Sequence, residues 1–128
     1  MILTDLFITR AKSLFKSSSM NCFMETVIVD HDTQALQAQL YWAAEDKYME
    51  FTYTPELAPC REVLAKGSFI QLNHIYQSFP KDRGLEVIGA QCYIGTLNKA
   101  QSGHLALLGP QPISEEEAQA LMNLLKQY

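Results

Sequence analysis

Apolar and polar positions change period several times along this chain, and each change marks an element. Between Ile2 and Ser19, residues Leu3, Leu6, Phe7 and Leu14 fall along one side of a helix. The serines at 17–19 end that pattern. Cys22–Val29 (CFMETVIV) follows, rich in side chains that favour extended backbone, and predicts a first strand. Asp30-His31-Asp32-Thr33 supplies turn chemistry. Leu36, Ala38, Leu40 and Trp42 then alternate with Gln37, Gln39 and Tyr41, and Met49, Phe51 and Tyr53 alternate with Tyr48, Glu50 and Thr52. A period of two with one apolar side predicts half-buried antiparallel strands over Leu36–Trp42 and Lys47–Tyr53.

Pro55 ends the third strand. Pro59 suits the first turn of a short helix, Cys60–Lys66, which Gly67 stops from the usual C-terminal glycine position. Ser68–Leu72 predicts a fourth strand. Asn73–Ile88 has no sustained period, holds at most two short helical turns, and is closed by Gly89. Gln91–Leu97 and His104–Leu108 predict a strand pair joined around Ser102-Gly103. Ser114 and Glu117 form a capping box that opens a terminal helix with Ala118, Leu121, Met122 and Leu125 on one face. The expected fold is one α+β domain over 1–128, with a mostly antiparallel sheet of about six strands flanked by N- and C-terminal helices.

Composition narrows the partners. A chain of 128 residues buries roughly two thirds of its unfolded surface without needing a disulfide or metal. Ten Lys plus Arg against fourteen Asp plus Glu give a net charge of -4 with no cationic block, so nucleic acid is not an expected partner. Cys22, Cys60 and Cys92 are odd in number, far apart and without a CxxC pair, as in reduced cytoplasmic proteins. No apolar run approaches the roughly 20 residues of a membrane span, and no secretory signal is visible. Arg10, Lys12, Lys16 and the serines echo an organelle transit peptide, but an amphipathic first helix accounts for them.

This element order and five short motifs resemble the GAF family of small-molecule sensor domains. The motifs are Ala58-Pro59-Cys60-Arg61-Glu62-Val63-Leu64, then Phe79-Pro80-Lys81-Asp82-Arg83-Gly84-Leu85, then Gly89-Ala90-Gln91-Cys92-Tyr93-Ile94-Gly95, with Gly103-His104-Leu105 and Ser114-Glu115-Glu116-Glu117 completing the set. The likeness covers about Pro59–Tyr128, and the first fifty residues only by element order. Cys92 stands where the family subset usually has serine, and Thr96-Leu97-Asn98 replaces its usual V-P-L. The cyclic-nucleotide signature of other members is missing.

The resemblance implies a PAS/profilin-like architecture with a ligand cavity on one face of the sheet, roofed by the segments 54–66 and 73–88. It nominates Cys60, His74, Tyr76, Phe79, Cys92 and Tyr93 as wall residues and an unidentified small organic molecule as ligand. It also implies a homodimer through the terminal helices, where Ile8, Phe15, Leu124 and Tyr128 add apolar surface beyond one stripe, and a separate effector protein to receive the signal. Core packing is the competing role for Phe79 and Tyr93. A thiol enzyme like the free methionine-R-sulfoxide reductases is the second reading, carried by Cys60 near a helix N-terminus, although the cysteine spacing departs from that branch. A scaffold module with a filled cavity is the third. His31, His74 and His104 lack metal-ligand spacing, and Glu115, Glu116 and Glu117 suit the first turn of a helix, so no metal site is expected.

Overall fold

The computed structural model describes residues 3–16 and 18–128. The expected helix start at Ile2, the side chain of Leu3 and the break at Ser17 lie outside the described residues. In chain order the elements are α1 (Leu3–Phe15), β1 (Cys22–Asp30), β2 (Ala35–Trp42), β3 (Lys47–Tyr53), α2 (Cys60–Lys66), β4 (Ser68–Gln71), α3 (Ile75–Ser78), α4 (Arg83–Val87), β5 (Cys92–Leu97), β6 (His104–Gly109) and α5 (Glu115–Leu125). The strands form one six-stranded antiparallel sheet in the order β3-β2-β1-β6-β5-β4. The fold is therefore α+β with an open antiparallel sheet, as the alternation predicts.

Local chemistry explains the boundaries. Asp30 Oδ1 accepts from the Asp32 backbone N–H at 3.0 Å and turns β1 into β2. Gly67 takes φ +92° and donates its N–H to the Val63 carbonyl, closing α2 where a side chain would be strained. Ser114 Oγ accepts from the Glu117 N–H at 3.1 Å and caps α5.

The two faces of the sheet are covered differently. On one face α1 and α5 pack Phe7, Ala11, Leu14, Ala118, Leu121, Met122 and Leu125 onto Phe23, Tyr41, Ile94, Leu105 and Leu107. Phe7 stacks on Phe23 with ring centroids 5.2 Å apart. Leu6, expected on the buried face, is 40% exposed, and Ala11 takes that place because the contact stripe runs 7, 11, 14. Ile8, Phe15 and Tyr128 pack against the same cluster, so only part of the surplus apolar surface on the terminal helices stays outward, chiefly Leu6 and Leu124. The opposite face is covered by α2, α3, α4 and their connections.

β6 is central and buried along its whole length. At its start His104 is fully buried, with Nδ1 2.6 Å from Thr26 Oγ1, and the same hydroxyl accepts from the His104 backbone N–H at 3.0 Å. The imidazole Nε2 has no partner among the described residues. Preceding it, Gly103 lies so close to β1 that any Cβ there would collide with the Thr26 carbonyl. That contact seats the β5–β6 connection on β1.

Burial disfavours the imidazolium and pushes the His104 pKa down from 6.5 to about 4. The unfolded chain therefore takes up this proton first as pH falls. The stabilising contribution is whole above about pH 6.5 and is lost progressively toward pH 4, on the order of 3 kcal/mol in all. Urea-unfolding free energies measured from pH 7 to pH 4 should show this loss, and His104→Gln should flatten the same window. An unchanged pH slope in the variant would place the proton uptake elsewhere.

Candidate ligand cavity

The second face of the sheet carries Cys22, Met24, Leu40, Tyr93, Ala106 and Leu108, opposed by Val63, Ile75, Phe79, Leu85 and Ala90 from the roof. The roof is made of helices of 7, 4 and 5 residues, too short to lie across the sheet as α1 and α5 do on the other side. Toward β3 the roof stops short. The space left between sheet and roof is a cavity of about 460 Å³.

Its floor comes from β1, β2 and β3 through Met24, Leu40, Met49, Phe51 and Tyr53, and from Tyr93 and Leu108 of the centre. One wall is the segment 54–60, and the other is 81–88. At the rim Phe51, Leu57 and Val87 are 37%, 50% and 69% exposed. Apolar side chains thus stand in water around an apolar opening.

A few polar groups converge at the inner end. Tyr53 Oη lies 3.2 Å from Cys60 Sγ and 4.0 Å from Met24 Sδ. Tyr93 borders the cavity but is only 1% exposed, and its buried hydroxyl has no partner among the described residues. Desolvation pushes both phenols up, with the Cys60 thiol adding to each, so both are neutral donors across the physiological range. Asp82 caps α4 by accepting from the Gly84 N–H at 3.2 Å, and partial burial raises its carboxyl above the usual value despite that bond.

Gly95 fixes where Tyr93 lies. Both residues face this side of β5, and a Cβ at Gly95 would stand 2.7 Å from Tyr93 Cε1 and from Val63 Cγ2, and 2.8 Å from the Tyr93 hydroxyl. The phenol ring thus lies folded over Gly95, beneath α2. The spacing Tyr93-Ile94-Gly95 is a packing requirement of the cavity floor.

The residues nominated from sequence separate clearly. Cys60 and Tyr93 line the cavity. Phe79 is buried behind its wall, edge-on to Phe69 at 6.1 Å with the Arg61 guanidinium 5.8 Å from its ring centroid, and Tyr76 packs at the margin of the same cluster. His74 is exposed at the start of α3 with φ +61°, its ring against Asn73, and does not reach the cavity. Cys92 points to the opposite face, where Sγ is 3.8 Å from Met20 Sδ. Adjacent strand residues face opposite ways, so Tyr93 on the floor places Cys92 beneath the terminal helices. The apolar alternation of β3 was the available signal for Met49, Phe51 and Tyr53, an aromatic side on an edge strand. Asp82, Leu57 and Val87 carry no such signal, because their role depends on how the roof meets the sheet.

All three cysteines are free and buried. Burial pushes Cys22 up to about 12, and Cys60 and Cys92 up to about 11, the Cys60 rise persisting although the Tyr53 hydroxyl opposes it. Among the described residues no cluster of three or more His, Cys, Asp or Glu side chains could hold a metal ion. No helix among them is long and apolar enough to cross a membrane.

Comparison of the chain with protein-family models, with curated proteins and with solved structures finds no match.

Two outcomes follow from this geometry. The native protein should react slowly with Ellman's reagent at pH 8, whereas all three thiols should react promptly in guanidinium; one fast native thiol would mean an open route to Cys60. Gly95→Ala should displace the Tyr93 ring and destabilise the fold by about 1–3 kcal/mol, read by chemical denaturation, with Gly95→Ala/Tyr93→Leu recovering part of the loss.

Proposed function

We propose that this chain is a GAF-like regulatory domain that binds a small organic molecule in the cavity between the sheet and its short-helix roof. The observation that carries this reading is the cavity itself: about 460 Å³, floored by Met24, Leu40, Met49 and Tyr93. That size falls within the range of about 300–1,000 Å³ for small-molecule sites. It lies under parts of the roof segments that the resemblance nominates, 54–60 and 81–88, and the six-stranded antiparallel sheet with its flanking helices supports the same reading. An empty volume of that size also favours a ligand-binding role over a scaffold whose cavity is filled by side chains.

The thiol-enzyme reading receives less support. A nucleophilic cysteine needs an accessible thiolate and a resolving partner. Here burial raises every thiol pKa, and Cys22 and Cys92 pack on opposite faces of the sheet.

In this proposal the ligand acts by tying 54–60 to 81–88 through the floor. It biases the domain only as far as it binds one arrangement of that roof better than another. Dimerisation through the terminal helices, with Leu6 and Leu124 as their exposed apolar residues, and a cytoplasmic setting suited to free thiols complete the reading.

Met49→Trp is the direct test, because Met49 is a partly exposed cavity residue on the edge strand, where added bulk meets empty space. Native mass spectrometry of freshly purified protein should show a co-purifying mass on the wild type and none on the variant. Circular dichroism should be unchanged between them. A ligand retained at full occupancy by Met49→Trp would move the binding site away from this cavity.

A further inference from the structure

We infer that the cavity takes an organic cation, a protonated amine carried on an apolar aromatic body, and that the Asp82 carboxylate is its counter-ion. This inference rests on the ligand-binding reading above and adds the charge and chemistry of the ligand to it.

The first observation is a carboxylate without a cation. Asp82 borders the cavity at the start of α4, and among the charged residues of the lining it alone is partly buried. The ion pairs among the described residues join Lys66 to Glu62 and Arg83 to Glu86, so none reaches it. Its donors are backbone amides: Oδ1 accepts from the Gly84 N–H at 3.2 Å, and the Leu85 N–H also favours the charged form. Amides orient a carboxylate but leave its net charge in place. Desolvation works against that charge and raises the Asp82 pKa despite both donors. A cation beside the carboxylate offsets that cost.

The same charge selects what can enter. Behind burial, the Asp82 carboxylate is among the causes that push up Tyr53, Cys60 and Tyr93, and all three border the cavity. A carboxylate or phosphate there would meet a like charge. The cations of the lining, Lys81 and Arg83, are exposed, and Arg83 Nη1 already lies 3.6 Å from Glu86 Oε1. Water screens them more than it screens Asp82.

The lining supplies the rest of the site. Phe51 and Tyr53 stand with ring centroids 5.5 Å apart and tilted by 42°, with Phe51 exposed at the rim. Aromatic faces attract a cation, and they stack on a ring that carries one. Met24 and Met49 add thioethers that adapt to an aromatic outline. Neither tyrosine hydroxyl competes for the role of anchor, because Tyr53 Oη is engaged with Cys60 Sγ at 3.2 Å and the Tyr93 hydroxyl is buried.

The test uses three probes that share one ring system, 2-naphthylmethylamine, 2-naphthylmethanol and 2-naphthoate, titrated calorimetrically into the full chain at neutral pH. The wild type should bind the amine about five- to tenfold more tightly than the alcohol, and the naphthoate more weakly than either. Asp82→Asn keeps a capping oxygen on α4, since Asn caps helices as well as Asp does. That variant should bind amine and alcohol within about twofold of each other, with the alcohol affinity unchanged from the wild type. Met49→Trp, which fills the cavity, should bind none of the three. Asp82 loses its assignment if the wild type has no preference for the amine, if the preference survives Asp82→Asn, or if that variant loses alcohol and amine alike. Amine binding undiminished in Met49→Trp would also overturn the inference, by placing the cation outside the cavity. Failure of all three probes to bind the wild type would instead overturn the cavity reading beneath it, and the two failures are told apart in the same titrations.

Discussion

The sheet of this protein has two halves, β3-β2-β1 and β5-β4, and β6 alone joins them. Its pairing with β1 on one side and β5 on the other is the interaction on which everything else depends. It sets both faces at once. One face lies under two helices of 13 and 11 residues, which fill the groove they cover with a continuous layer of side chains. The other lies under connections whose helices are a fraction of that length. They reach far enough to shield β4, β5 and β6 but not the outer floor on β3. The cavity is the geometrical remainder of that mismatch.

Local signals made most of the architecture readable from sequence. Alternation in Leu36–Trp42 and Lys47–Tyr53, the glycine after Lys66, the capping serine at 114 and the turn at Asp30 each act over a few residues, and each element formed where its signal stands. Questions requiring knowledge of the opposite layer were less legible. Alternation tells that Cys92 and Tyr93 face opposite ways but not which of them meets the terminal helices. The stripe on α1 likewise puts Leu6 on the buried side, whereas the crossing of the helix over β1 and β2 seats Ala11 there and leaves Leu6 outward. His74 was drawn to the cavity by its place in an irregular segment, yet its contribution is a backbone one: its carbonyl accepts from the Gln77 and Ser78 N–H groups and from the Gln71 side chain.

The chemistry of the interior follows the same division. Sulfur is abundant on the cavity side, in Met24, Met49 and Cys60, but the thiol there is protonated and tucked against Tyr53 rather than presented to solvent. Such a surface recognises by polarisability and shape. Hydrogen bonding is confined to few atoms, so it supplies orientation, while the apolar walls supply most of the area.

The placement of β6 also bears on how the chain reaches its native state. β1, β2 and β3 form a meander from neighbouring segments, which can pair early and cheaply because the loops to be closed are short. β6 must then insert beside β1, its residues pairing with partners about eighty or more positions earlier, and until it does, β1 keeps an open edge. A chain emerging from the ribosome spends that interval with the open edge of β1 unpaired, so the final third of the sequence is what ends its exposure to aggregation.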